Sequence, residues 1–278
     1  MHRYGDAIVE RHLRPTVGTL LREWRQRRHL SQLELASLAG VSTRHISFIE
    51  TGRSRPSREM VLHLAEELDV PLRDRNPLLL AAGHAPAYSS TSLDAEAMKP
   101  VRDALDRVLR SHQPYPALVV NRKWEMVAAN DGVLALVADA SPALLVPPVN
   151  VLRVSLHPDG IASRIVNFGE WSAHLLHRLR RQFVLTRDAE VGALYDELRG
   201  YPDVVTDDVP TESEEARALA VPLVMRDGEH ELRFLSTVTT FGTAVDITLA
   251  ELSIEAFLPA DDETAAVLQT AMSAAARS

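Results

Sequence analysis

Between Ser31 and Ser57 the chain reads SQLELASLAGVSTRHISFIETGRSRPS. The spacing predicts two short helices across a tight turn. Ser31 stands at an N-cap, with Glu34 at the capping-box position. Leu33, Leu35, Ala36 and Leu38 supply the apolar side of the first helix. Gly40 suits the left-handed conformation that stops a helix. Ser42 caps the second helix, which turns Ile46 and Ile49 inward, and Gly52 ends it. A loop with Arg53, Arg55 and Arg58 follows.

Three more helices surround this pair. One spans about Val17 to Arg28, with Val17, Leu20, Leu21 and Trp24 at core spacing. Pro56-Ser57 opens another, whose stripe is Val61, Leu62, Leu64, Ala65 and Leu68. Pro71 interrupts, and Leu72 to Ala82 forms the last. This is the pattern of a helix-turn-helix unit that docks its second helix in a DNA major groove. The net charge is -8, yet charge is unevenly spread. Arg11 to Arg58 holds 10 Arg against 3 Glu, and Met1 to Tyr88 holds 13 Arg against 10 Asp+Glu. The remainder holds 17 Lys+Arg against 28 Asp+Glu. A basic module joined to an acidic one points to nucleic acid at the basic end.

With 278 residues, 46% of them hydrophobic, the chain has material for about two domains. It has no cysteine, which excludes disulfides and thiolate chemistry. Neither a signal peptide nor an apolar stretch of about 20 residues is apparent. The expectation is a soluble, cytoplasmic protein. Gly83 to Ser92, GHAPAYSSTS, reads as a linker. The divisions are therefore residues 1–82, 83–92 and 93–278. The third part opens with a helix over Asp94 to Ser111. Strands at Ala117–Val120 and Glu125–Ala128 and a helix at Asn130–Ala138 come next. The apolar spacing predicts one long helix over Ile161 to Phe183. A helix at Glu190–Arg199, strands at Ala218–Met225, Glu231–Thr240 and Ala244–Phe257, and a helix at Thr264–Ala275 complete it. The fold class is a two-domain protein: an all-α five-helix domain, then an α+β domain with an antiparallel sheet.

Gln32, Ala36, Gly40, Val41-Ser42, Ile46, Ile49-Glu50, Gly52 and Pro56 resemble the lambda-repressor-like helix-turn-helix regulators, the xenobiotic-response-element family. The small Ala36 suits a close crossing of the two helices. Ser42 caps the recognition helix, and Thr43, Arg44 and Ser47, with Phe48 one step along, lie on its exposed face toward base edges. Arg44 is the candidate for a bidentate guanine contact, and Phe48 for a thymine methyl. The resemblance implies a phosphate contact by Gln32 and an interhelical ion pair between Arg25 and Glu50. Arg53, Arg55 and Arg58 are candidates for phosphate neutralisation.

After residue 93, several strings resemble the MmyB-like ligand-binding domain found behind such modules. They are Pro116–Asn121, Asn150–Arg153, Leu156–Asp159, Asn167–Trp171, Ser236–Leu258 and Pro259–Asp262. The resemblance implies a PAS-like sensor fold and an acyl or fatty-acid-like ligand. Trp124, Phe168, Trp171, Leu175, Phe234 and Phe241 are candidates to line an apolar cavity. Arg178, Asn167 or His157 are candidates to hold a polar head. Glu170, His174 and His177 share one helix-face spacing, but no HExxH motif accompanies them, and a half-buried histidine pair is the plainer reading. Nucleophile elbows, phosphate loops and dinucleotide fingerprints are absent from the sequence. The expected protein is a DNA-binding transcription regulator, dimeric on a double-stranded operator, that senses a small hydrophobic ligand. It needs no cofactor, metal or membrane and is not an enzyme. A ligand-independent scaffold regulator and a DNA-tethered metalloenzyme are the alternatives. The linker and the helix after it are placed to transmit a ligand signal.

Overall fold

In the computed structural model, residues 15–205 and 221–275 are described. The chain divides into two compact units, Met1–Ser89 and Ser90–Ser278. The first unit contains α1 (Val17–Arg27), α2 (Gln32–Leu38), α3 (Thr43–Glu50), α4 (Arg58–Glu67) and α5 (Leu72–Ala81). Four of these begin at a hydroxyl cap: Thr16, Ser31, Ser42 and Ser57 each accept a backbone N–H three residues on. Such a cap satisfies a donor that the first turn leaves free. At Ser31 the capping box is complete, because Glu34 accepts the Ser31 N–H in return. Gly40 adopts φ +63° and turns the chain from α2 into α3.

The core of this unit is one cluster, including Leu21, Trp24, Leu35, Ala36, Ile46, Ile49, Leu64 and Leu79. α1 approaches α3 so closely that a Cβ on Gly18 would overlap the backbone oxygens of Ile49 and Glu50. The segment expected as a linker is partly tied down here. Asn76 Oδ1 accepts from the N–H groups of Ala87 and Tyr88, and its Nδ2 donates to the Tyr88 carbonyl at 2.7 Å. Thr91, by contrast, belongs to the second unit, where its Oγ1 donates to Asp246 at 2.8 Å.

The second unit is built on an antiparallel sheet of five strands in the order β2-β1-β5-β4-β3. They are β1 (Ala117–Val120), β2 (Met126–Ala129), β3 (Leu223–Asp227), β4 (His230–Thr240) and β5 (Ser253–Pro259). The helices are α6 (Lys99–Ser111), α7 (Asp131–Leu136), α8 (Val151–Leu156), α9 (Phe168–Thr186), α10 (Ala189–Leu198), α11 (Ile247–Ala250) and α12 (Asp262–Ala275). β1 is buried at all four positions. Ala117 and Val119, with Ile254 and Ala256 of β5, pack against Leu105 and Leu109 of α6. On the opposite side of the sheet, α8, α9 and α10 close the main core over Leu223, Met225, Leu232 and Phe234.

Three expected elements differ and one helix was not expected. The long helix over Ile161 to Phe183 is broken. Ala162–Arg164 is a single 3-10 turn, and α9 starts only at Phe168. The backbone between them pairs with β3 instead: Val166 N–H donates to Val224, and Asn167 Oδ1 accepts the Val224 N–H. The strand expected over Ala244–Phe257 is α11 followed by β5, because Asp246 Oδ1 accepts the Thr248 N–H and caps a helical turn. α8 had no counterpart in the sequence reading; Asn150 Oδ1 caps it by accepting from Leu152 and Arg153 at 3.1 Å. β3 begins at Leu223 rather than Ala218, and residues 218–220 lie outside the described residues. The tight α1–α3 crossing predicts that Gly18→Ala costs about 1–3 kcal/mol through overpacking. Chemical denaturation of the full chain, followed by helical circular dichroism, measures it as a lower midpoint for the N-terminal unit.

Candidate nucleic-acid interface and ligand cavity

α3 has two faces. Ile46 and Ile49 are each 1% exposed and point into the core, with Glu50 beside them. At 100° per residue, Arg44, Ser47 and Phe48 occupy the other face, while Thr43 falls beside Glu50 at the start of the helix and is half-buried. Arg44 is exposed and its guanidinium lies over the Phe48 ring at 5.0 Å. Arg53, from the loop beyond Gly52, covers the same ring at 5.8 Å. An aromatic ring with two arginine guanidinium groups within 6 Å of its centre is therefore presented on the outer face of this helix. Ser42 is exposed and its hydroxyl caps the helix, accepting the His45 N–H at 3.2 Å.

Behind that face lies a polar cluster. Glu50 accepts a forked pair of hydrogen bonds from Arg25, Nε to Oε1 at 2.7 Å and Nη2 to Oε2 at 3.0 Å. Arg25 Nη1 also donates to the Leu30 carbonyl at 2.7 Å. One arginine thus joins α1, the α1–α2 turn and α3. Burial pushes the Glu50 carboxyl up. The hydrogen bonds from Arg25 and Gln32 and the Arg25 charge outweigh it and hold the group below its ordinary range.

Three residues expected at phosphate also have partners within the protein. Gln32 does not project freely: its Nε2 donates to Glu50 Oε2 at 2.8 Å, joining the same cluster. Arg55 Nε donates to the Ala82 carbonyl at 2.8 Å, satisfying an acceptor that the end of α5 leaves open. Arg58 Nη1 donates to Ala85 at 2.8 Å. Both arginines hold the close of the unit, and Arg53 is the loop arginine that joins the Arg44–Phe48 face.

In the second unit, a cavity of about 80 Å³ lies between the sheet and α7, α8 and α9. A water-sized sphere needs about 10–15 Å³ on this measure, so the space admits a ligand of several heavy atoms. Trp171 and Leu175 line it, as do Leu118, Val133, Leu152 and Phe257. The polar wall groups are Ser155 and Glu255. Ser155 Oγ accepts from Trp171 Nε1 at 3.1 Å. Glu255 sits in mid-sheet, opposite Leu118 of β1 and Val238 of β4. Its Oε1 accepts from Arg178 Nη2 at 2.7 Å, and the Arg178 guanidinium stacks on Trp124 at 4.7 Å.

Of the nine residues expected at a ligand site, Trp171 and Leu175 touch this cavity and Arg178 braces its wall. The other six have different tasks. Trp124 donates from Nε1 to Gln182 at 2.8 Å and forms the platform under Arg178. Asn167 ties α9 to β3 by donating to Pro222 at 2.8 Å. His157 accepts the Asp159 N–H at 3.0 Å and packs edge-on against Tyr201. Phe234 is fully buried core. Phe168 packs against the main cluster away from the cavity lining. Phe241 packs with the α6 cluster, on the other side of the sheet. Glu255 was missed, although a carboxylate inside the apolar run Ser253–Leu258 is a visible signal. His174 stacks on Trp171 with ring centroids 5.6 Å apart. Burial pushes its pKa down, and the charges of Arg178 and His177 push the same way. Among the described residues, no three His, Asp or Glu side chains converge as metal ligands.

Comparison with known proteins places both units. Residues 101–271 match the family described as MmyB-like transcription regulator ligand binding domain. Residues 21–74 match the family described as Helix-turn-helix. RghRB of Bacillus subtilis (strain 168), named an uncharacterized HTH-type transcriptional regulator, is 31% identical over 116 residues, 41% of this chain and 81% of the relative.

Removing Glu50 leaves the buried Arg25 without its partner, a loss of about 3–5 kcal/mol for such pairs. Glu50→Ala should therefore unfold or strongly destabilise the N-terminal unit. Because the native carboxyl titrates below its ordinary 4.5, its contribution is complete above that value and fades as pH falls through the native pKa. Thermal melts between pH 7 and pH 3 should show this loss in the natural chain and a flatter acid limb in Glu50→Gln.

Proposed function

Because the chain belongs to the MmyB-like transcription regulators, with a helix-turn-helix DNA-binding module and the family's ligand-binding domain, we propose that it reads a specific operator in the cytoplasm and that a small hydrophobic molecule controls this reading. The observation that carries the DNA half is the outer face of α3, where Arg44 and Arg53 bracket Phe48. An arginine at the start of a recognition helix can make a bidentate contact to guanine, and the ring offers apolar surface to a thymine methyl. Thr43 and Ser47 supply hydroxyls to the same groove. Arg53 and the backbone N–H groups at the start of α2 meet phosphate. One such helix makes few base contacts. A homodimer doubles them and matches half-sites roughly 34 Å apart.

The cavity between sheet and helices supports the sensing half. Its walls are nearly all apolar, which favours an acyl-type body over a sugar or nucleotide. The antiparallel strand order β2-β1-β5-β4-β3, with helices packed against the sheet, supports the PAS-like reading. A ligand regulates only through unequal affinity for the DNA-competent and DNA-incompetent states. The chemistry assigned to this chain is binding.

Arg44→Ala should lose discrimination at one base pair, worth about 1–3 kcal/mol, and keep its preference elsewhere. Arg53→Ala should weaken all sequences alike and reduce the salt dependence by about one phosphate contact. Selection from a randomised duplex pool, followed by gel-shift titration at two salt concentrations, separates these outcomes. An unchanged preference in Arg44→Ala removes that residue from base reading.

A further inference from the structure

The polar chemistry of the cavity wall narrows what can enter it. Glu255 has a side chain 7% exposed, in the middle of the sheet. Its Oε1 is taken by Arg178. Among the described residues, no hydrogen bond reaches Oε2, and no buried side-chain nitrogen or oxygen shut off from solvent lacks a partner. Oε2 therefore keeps some accessible surface, and Glu255 is one of the two polar residues that line the cavity. An acceptor-only carboxylate oxygen in an apolar chamber calls for an O–H or N–H donor. Ser155 is the second polar group on the wall. Its Oγ already accepts from Trp171 Nε1, and its own hydroxyl hydrogen remains to donate.

The charge of the donor follows from the pairing. Arg178 already balances Glu255, so this wall is neutral as a whole. A carboxylate head would set a second anion against Oε2 in a desolvated space, and an ammonium head would leave an uncompensated cation beside Arg178. Both are costly away from water. A neutral head that donates one hydrogen bond and accepts one satisfies both polar groups without adding charge.

We propose that the cavity takes a small, neutral, mostly apolar molecule with an alcohol or amide head, held by donation to Glu255 Oε2 and acceptance from Ser155 Oγ. This rests on the ligand-sensing reading above and replaces the acid head of a fatty-acid-like ligand with an uncharged one. The cavity of about 80 Å³ favours a short to medium chain.

The test uses the full chain with 1-octanol, octanamide and sodium octanoate at neutral pH, titrated against the fluorescence of Trp171 and its neighbours. The expected result is binding of octanol and octanamide about tenfold or more tighter than octanoate, since like charges in contact are strongly disfavoured. In Glu255→Gln the preference should shrink or reverse, because the repelling charge is gone and Arg178 is free to attract octanoate. Val151→Phe, which fills the cavity from α8, should abolish binding of all three while the chain stays folded by circular dichroism. It keeps the test decisive if Glu255→Gln fails to fold. Octanoate binding as tightly as octanol overturns the proposal, as does failure of octanol and octanamide to bind up to their solubility limits. DNA affinity measured with each compound separates the two readings. Tight octanol binding with no effect on DNA supports the site and overturns ligand control, whereas octanoate preferred at the cavity with a change in DNA affinity does the reverse.

Discussion

A carboxylate taken out of water must be given hydrogen bonds and a positive charge, and one such group organises the N-terminal unit. Glu50 sits at the end of α3, where its charge would be costly if left alone. Arg25 reaches it from α1 with two hydrogen bonds, and Gln32 reaches it from α2 with a third. Three helices are thereby fixed at one point. The rotation of α3 about its axis follows, since Glu50 and Ile46 face inward together. That rotation is what turns Arg44 and Phe48 outward. The outer face of α3 is thus set from behind, by a group buried within the unit.

The second unit contains a comparable group treated differently. Glu255 is also buried and also held by an arginine from a helix, Arg178 of α9. Here the pairing is incomplete. Among the described residues one oxygen is bonded, and the residue lines a cavity. The contrast links packing to function. The first unit uses its buried charge to fix a shape, and the second places a buried charge on the wall of a cavity.

Much of the first unit was legible because its determinants are local. Hydroxyl caps, Gly40 and the apolar spacing of α1 to α5 act within a few residues of chain. In the second unit, local reasoning failed wherever a distant strand competed. The apolar periodicity from Ile161 onward fits a helix, but Val166 and Asn167 give their hydrogen bonds to β3. The aromatics chosen for the cavity were sensible by size, yet Phe234 is core and Phe241 lies across the sheet. Size cannot say on which side of a sheet a ring will stand. The partner pairing of β1, β4 and β5 does.

The sequence by itself determined that the chain has a basic helix-turn-helix end and an acidic α+β remainder, and which residues cap and turn the first helices. Those properties follow from composition, capping and period, which need no long-range contact. Only the tertiary structure decided that Gln32, Arg55 and Arg58 bind the protein's own polar groups, and that Glu255, rather than Asn167 or His157, lines the cavity. Hydrogen-bond donors are spent on whichever acceptor the fold brings nearest, and that acceptor often lies many residues away.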